Sequence, residues 1–421
     1  MDKFIIIGGK KLSGSVLVSG AKNSSLALMP ASILTSGKSI LKNTPELNDV
    51  FTMIKLLKHL GANINFKNEV LEIHSSHINE FTAPYEHVKK MRASVYVLGP
   101  LLARFGKAKV SLPGGCAWGP RPINLHLEAM KKLGANIEIL DGYIIAETKK
   151  LKGAKINFDV SSVGATGNAL MAAVLAKGSS VINNAAIEPE ITQLAKFLLK
   201  MGAHIDGIGT NKLEIEGVTD LKSAEIETIP DRIEIGTLLI AGAITKSKIN
   251  LKNTSSELIE SVLLKLEDSG CNIKRFDESI EIDASNSEFK PASITTSIYP
   301  GFPTDMQAQW TALMSLVNGV SKITDTIYFD RFMHVPELNR LGAQISVDKN
   351  TAIITGVKKL TGAKVMSTDL RASASLVLAG LAAEGTTEVL RVYHLDRGYQ
   401  RIEEKLKSLG AEIKRVESKE Y

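Results

Sequence analysis

Apolar positions along this chain fall into three recurring patterns, and each predicts a different element. Residues 25–34, 167–176 and 373–383 are small and apolar almost without interruption. A helix built from them has no solvent-facing side and must be buried all round. Residues 49–60 instead place Val50, Ile54, Leu57 and Leu60 on one helical face, which predicts an amphipathic helix. Alternation marks strands, as at 137–140 and 143–146 on either side of Asp141-Gly142, a dipeptide suited to a tight hairpin turn.

The patterns follow one another in a fixed order, and the order repeats. Leu60-Gly61-Ala62-Asn63-Ile64 returns as Leu133-Gly134-Ala135-Asn136-Ile137, and four more copies follow around Gly202, Gly270, Gly342 and Gly410. Successive glycines of the motif are 73, 68, 68, 72 and 68 residues apart, so six similar units fill the chain. Each unit reads as a buried helix, a strand, an amphipathic helix closed by the motif glycine, and two strands joined by a tight turn.

The sixth unit is short of its closing strand, because only eight residues follow Ile413. The decapeptide that follows the fifth unit, Ile353-Ile354-Thr355-Gly356-Val357-Lys358-Lys359-Leu360-Thr361-Gly362, has a near copy in Ile5-Ile6-Ile7-Gly8-Gly9-Lys10-Lys11-Leu12-Ser13-Gly14. The N-terminal strands are therefore expected to complete the C-terminal domain. Three units per domain gives residues 22–229 for one domain and 1–21 with 230–421 for the other. The chain would cross between them near Ser19-Gly20 and Ile229-Pro230, and two crossings predict a cleft that opens and closes.

Composition agrees with two domains, since 421 residues exceed what a single core usually holds. Aromatic residues are only 5%, so the cores must come from Leu, Ile, Val and Ala. A net charge of +6 without any run of five like charges excludes a nucleic-acid arm, and no apolar stretch reaches the ~18 residues of a membrane span. Two cysteines cannot form a disulfide framework, and the first residues are too short in apolar run for a signal peptide, so a cytoplasmic protein is expected.

Candidate chemistry concentrates in two places. Residues 111–124 hold three prolines, three glycines, Cys116 and Arg121, a composition that breaks every helical or strand period and predicts a loop with a thiol near an anion receptor. The second place is the set of buried-helix starts, which carry Lys22-Asn23, Arg92, Ser162-Val163-Gly164, Asp231-Arg232, Asp305-Met306 and Asp369-Leu370-Arg371. Free N–H groups at such ends, added to basic side chains, would attract a polyanion, whereas the blander alternative makes the aspartates ordinary caps. Cys271 fills the alanine slot of the repeat motif and reads as a packing residue. Trp310 reads as core, and His126, His334 and His394 lack ligand spacing, so no metal and no cofactor are expected.

Lys22-Asn23, Pro113-Gly114-Gly115-Cys116 with Arg121-Pro122, Pro303-Thr304-Asp305-Met306-Gln307, Arg331-Phe332-Met333-His334-Val335 and Asp369-Leu370-Arg371-Ala372-Ser373-Ala374-Ser375 occur in this order. Together they resemble the UDP-N-acetylglucosamine 1-carboxyvinyltransferase family of enolpyruvyltransferases, and the resemblance runs end to end. It implies an inside-out α/β barrel fold, two similar domains each of three βαβαββ-type repeats around buried helices. It also implies transfer of the enolpyruvyl group of phosphoenolpyruvate to the 3′-hydroxyl of UDP-N-acetylglucosamine, with release of phosphate, at the start of peptidoglycan synthesis.

By the same resemblance, Cys116 donates a proton to the methylene carbon and is the target of a fosfomycin-type inhibitor, while Asp305 takes the proton of the sugar hydroxyl. Lys22, Asn23, Arg121 and Arg397 hold phosphoenolpyruvate, with Lys22 and Arg397 counted as catalytic beside Cys116 and Asp305, Asp369 and Arg371 help position its carboxylate, and Arg331 contributes. Arg92, Arg121, Pro122, Ile123, Asn124, Leu125, Asp305 and Ile327 take the sugar nucleotide, with Ser162 and Val163 at the uridine. Val160 departs from the family pattern, standing where some relatives have lysine. Two other readings stay open: enolpyruvyl transfer to shikimate 3-phosphate, which does without the loop cysteine, and a repeat scaffold that binds without chemistry.

Overall fold

The structure, a computed structural model, describes residues 2–89, 91–112 and 123–417. Two compact units divide the chain: a continuous one, Gly20–Ile229, and a split one, Met1–Ser19 with Pro230–Tyr421. Each contains three four-stranded sheets of the same construction. In the second repeat Tyr143–Glu147 lies between Asn136–Leu140 and Lys107–Ser111, antiparallel to both, and the two-residue strand Thr82–Ala83 adds in parallel at the edge. The hairpin residues Asp141 and Gly142 both take positive φ, 50° and 77°, as its tight turn requires.

Helices fill the space the sheets enclose. Lys22–Ala31, Val163–Ala173, Arg232–Ile244, Gln307–Met314 and Leu370–Ala382 are buried along almost their whole length. Residues 370–381 show no solvent-facing side at all. Several polar residues on these helices are small ones that return their hydroxyls to the helix backbone: Thr311 to the Gln307 carbonyl at 2.9 Å, Ser315 to that of Thr311 at 2.8 Å, Ser375 to that of Ala372 at 2.7 Å. Burial therefore strands no hydroxyl proton at these positions.

The repeat motif proves to be a helix stop. All six of its glycines have φ between 92° and 107°, the left-handed region that a side chain disfavours. The next residue then reaches back to the carbonyl five positions earlier, Ala62 to Leu57 at 3.0 Å, Ala135 to Met130 at 3.0 Å, Cys271 to Leu266 at 2.9 Å, and likewise in the other three copies. That residue is packed at 6 or 7% exposure in every copy, which is why the slot holds alanine or, once, cysteine.

Each unit closes on itself through strands remote in sequence. In the continuous unit Glu225–Glu227 pairs in parallel with Lys38–Lys42 of the first repeat. In the split unit Ser13–Leu17 pairs in parallel with Lys248–Lys252, and Asp2–Ile7 enters between Thr386–Leu390 and Glu412–Glu417, antiparallel to both. The N-terminal strand is thus an interior strand of its sheet, with Phe4 and Ile6 fully buried.

Deleting residues 1–9 should unfold the split unit. Exposing a Phe and an Ile alone costs about 3–6 kcal/mol, a large part of a typical ~5–15 kcal/mol total, and two strand edges are left unpaired. Calorimetry should show the transition of that unit lost or strongly lowered. An unchanged trace would mean that the strand is dispensable.

Candidate active site

Three aspartates open buried helices at equivalent points of the repeat, and they do different work. Asp231 caps its helix, its Oδ1 accepting from the N–H groups of Ile233 at 2.9 Å and Glu234 at 3.1 Å. Asp369 does the same for Arg371 at 2.9 Å and Ala372 at 3.2 Å. At these two helices the first N–H groups are spoken for, so the expectation of open, anion-binding ends is corrected there in favour of ordinary capping.

Asp305 caps nothing. It lies in the single turn Thr304–Met306 ahead of Gln307–Met314, and neither segment has a side-chain cap. Its Oδ1 meets Arg331 Nη1 at 2.8 Å and its Oδ2 meets Arg371 Nη2 at 2.9 Å. The arginine side chains are 9% and 3% exposed, whereas that of Asp305 is 28% exposed. The carboxylate is the open end of a cluster whose cations are buried. One buried guanidinium braces each oxygen of the carboxylate from behind.

The cations are themselves held. Burial disfavours the charge of Arg371, but Asp305, Tyr399 and Asp231 raise its pKa above the usual arginine range. Its guanidinium sits 5.3 Å from the centroid of the Tyr399 ring. The Tyr399 hydroxyl lies 2.9 Å from that of Thr237 and accepts from Gln309 Nε2 at 3.2 Å, and the same nitrogen donates to the Asp305 carbonyl at 2.9 Å. Arg397 ends the short helix Val392–Arg397. The neighbouring Asp396 is gripped by two nitrogens of Arg415, at 3.0 and 2.6 Å, from the strand Glu412–Glu417. Ile327 donates its backbone N–H to Asp325 at 2.9 Å.

In the continuous unit, Lys22 and Asn23 form the start of Lys22–Ala31, and Lys22 Nζ is 3.7 Å from Asp49 Oδ2, with both side chains largely buried. Arg92 opens the turn Arg92–Val97. Ile123 precedes the helix Asn124–Lys132, which Asn124 and Leu125 begin. Ser162 caps Val163–Ala173 by accepting from Ala165 N–H at 3.3 Å, and the Val163 carbonyl accepts from the Tyr96 hydroxyl at 3.3 Å. A Cβ on Gly164 would come within 3.0 Å of the His126 ring, so glycine permits that close packing. Val160 is 63% exposed. Cys116, Arg121 and Pro122 lie outside the described residues.

The sequence reading missed Thr304, Asp325, Gln309 and Tyr399, which support the arginines and Asp305. None of them carries a local signal, since each takes its meaning from a partner remote in sequence. Asp49 was visible as the first residue of an amphipathic helix but not as the partner of Lys22. Trp310 is fully buried and donates its indole N–H to the Ala292 carbonyl at 2.9 Å, a core residue. Among the described residues no group of three or more His, Cys, Asp or Glu side chains is arranged to hold a metal, and no helix is long and apolar enough to cross a membrane.

His126 gives a pH test of this region. Its Nδ1 lies 2.9 Å from Asn168 Nδ2, and burial pushes its pKa down to about 4. The unfolded chain binds a proton there near pH 6.5 and the folded one does not, so stability is full above that pH and falls as pH drops toward 4, by about 1.4 kcal/mol per unit. Melting temperatures of His126→Gln should fall less steeply across this window than those of the parent. Parallel curves would show that His126 charges freely in the fold.

The family model described as EPSP synthase (3-phosphoshikimate 1-carboxyvinyltransferase) matches residues 6–406. The chain is 58% identical to the UDP-N-acetylglucosamine 1-carboxyvinyltransferase of Chloroherpeton thalassium, over 100% of this chain and 99% of that protein. It is 57% identical to the protein of the same name from Chlorobium limicola, over the full length of both. Among solved structures it resembles the enolpyruvyl transferase NikO from Streptomyces tendae, with a TM-score of 0.90 at 24% identity over 99% of each chain. It also resembles EPSP synthase from Acinetobacter baumannii, with a TM-score of 0.78 at 19% identity over 99% of this chain and 100% of that one. These two likenesses bear out the fold class, the inside-out α/β barrel. The family match and the full-length relatives together establish that the chain belongs to the EPSP synthase family of enolpyruvyltransferases, among its UDP-N-acetylglucosamine 1-carboxyvinyltransferases.

Proposed function

We propose that this chain transfers the 1-carboxyvinyl group of phosphoenolpyruvate to the 3′-hydroxyl of UDP-N-acetylglucosamine and releases phosphate, the first committed step of peptidoglycan synthesis. The observation that carries this reading is the identity of 57–58% over whole chains with proteins of that name. The likeness to EPSP synthase, at 19% identity, extends to the fold alone and does not favour shikimate 3-phosphate as acceptor.

The transfer needs two proton movements and a place for two anions. As the sugar oxygen bonds to C2 of phosphoenolpyruvate, the electrons of the C2–C3 double bond take a proton at C3, giving a ketal that still bears phosphate. Loss of a C3 proton then re-forms the double bond as the bond to phosphate breaks. Asp305 is suited to take the hydroxyl proton, since its outer edge is open while two arginines fix its orientation. Cys116 is assigned delivery of the proton to C3, a step open to a thiol at neutral pH.

Phosphoenolpyruvate falls to Lys22, Asn23, Arg121 and Arg397, with Asp369 and Arg371 at its carboxylate and Arg331 beside Asp305. Asp49 holds the ammonium of Lys22 in place in advance, which lowers the ordering cost of binding. Arg92, residues 121–125, Asp305 and Ile327 take the sugar nucleotide, and Ser162 with Val163 the uridine.

Phosphate release from phosphoenolpyruvate should be rapid with UDP-N-acetylglucosamine and absent with shikimate 3-phosphate, and the reverse pattern would overturn the assignment. Asp305→Asn keeps size and disturbs no helix cap; it should still fold, with stability lowered by up to about 3–5 kcal/mol because two buried guanidiniums lose their counter-charge, and lower turnover by ~10²-fold or more. Near-normal turnover would remove Asp305 from the reaction. Fosfomycin should label Cys116 alone, because Cys271 is 6% exposed and burial pushes its thiol up to about 12, leaving almost no thiolate at neutral pH. Labelling at both cysteines, read by peptide mass, would reduce Cys116 to an incidental thiol.

A further inference from the structure

Asp325 is fully buried in the split unit. Four donors converge on its carboxylate. Oδ1 accepts from the Thr296 hydroxyl at 2.8 Å and from the N–H groups of Ile327 and Tyr328, both at 2.9 Å. Oδ2 accepts from the Thr304 hydroxyl at 2.7 Å. Its backbone is fixed as well: the N–H donates to the Asn350 carbonyl at 2.9 Å, and Asn350 Nδ2 donates to the Asp325 carbonyl at 3.0 Å.

The bond to Thr304 sets a direction. A hydroxyl has one proton, and a carboxylate only accepts, so the proton of Thr304 points at Asp325. The oxygen must then offer a lone pair on its other side. Arg331 Nη1 donates to it at 3.1 Å, and the same nitrogen lies 2.8 Å from Asp305 Oδ1. One buried acid thus orients one hydroxyl, which orients one guanidinium, which orients the carboxylate that takes the substrate proton. Through its other oxygen it also sets the backbone at Ile327.

From this geometry we infer that Asp325 is a positioning residue for the transfer reaction, acting on Asp305 through Thr304 and Arg331 and on the sugar-nucleotide contact through Ile327. The inference rests on the proposed role of Asp305. It predicts a defect in turnover when the relay is cut at Thr304, a residue with no assigned contact to either substrate.

Thr304→Val keeps the volume and removes the hydroxyl. It should lower kcat roughly ten- to hundredfold, the loss expected of one charge-assisted hydrogen bond, with KM for phosphoenolpyruvate unchanged. Thr304→Ser restores the hydroxyl and should recover most of kcat, which a purely steric role for Thr304 would not produce. Because Thr304 acts through Arg331, adding Thr304→Val to Arg331→Met should cost nothing beyond Arg331→Met alone. Asp325→Asn offers an amide N–H to Thr304, or turns one toward the Ile327 N–H. It should lower kcat and also raise KM for the sugar nucleotide, and thermal melts will separate this from unfolding. Full kcat in Thr304→Val, or additive losses with Arg331→Met, would overturn the inference while leaving Asp305→Asn inactive. Normal turnover in Asp305→Asn would overturn both the inference and the reading beneath it.

Discussion

A helix without a solvent face has to be covered on every side, and that requirement governs the rest of this protein. It explains why the helix-forming blocks are so rich in small residues and why each unit surrounds them with three sheets rather than one. It also dictates how polar groups enter. Serines and threonines such as Thr311, Ser315 and Ser375 return their hydroxyls to their own helix, Asp231 and Asp369 cap the starts of two buried helices, and a left-handed glycine stops each amphipathic helix packed outside them.

Against that apolar background the cluster around Asp305 stands out energetically. Removing one partner from a buried ion pair costs about 3–5 kcal/mol, so Arg331 and Arg371 depend on Asp305 for more than alignment. Arg331 also donates to the Thr304 hydroxyl and Arg371 lies over the ring of Tyr399, while the carboxylate, 28% exposed, is the least buried of the three side chains. An acid exposed at its edge and braced from behind by two buried guanidiniums is held in one orientation.

Much of the architecture was legible in the sequence because its marks are local. The glycine that ends an amphipathic helix must sit in one conformation, and the residue after it must be small, so Leu-Gly-Ala recurs wherever the same stop is built. The short edge strands were not legible: Thr82–Ala83 and Ile294–Thr295 are two residues each, too few for an alternating pattern. Nor could local sequence separate Asp305 from Asp231 and Asp369, which occupy like positions. What distinguishes Asp305 is the arrival of Arg371 from 66 residues away, together with Arg331. Resemblance to a family supplied names for residues such as Arg397 and Ile327, but not the supports behind them, Arg415 and Asp325.

The interior strand Asp2–Ile7 also sets a schedule. Phe4 is paired with Arg415, so the segment around Phe4 cannot find this neighbour until about 410 further residues have been synthesised. At roughly 5–20 residues per second this interval is on the order of tens of seconds, long compared with the folding of a domain. The continuous unit needs nothing beyond Ile229 and is free to form in the meantime. During that wait Phe4 and Ile6 lie in a sticky, unpaired segment, making nascent-chain handling the stage at which this molecule is most open to aggregation.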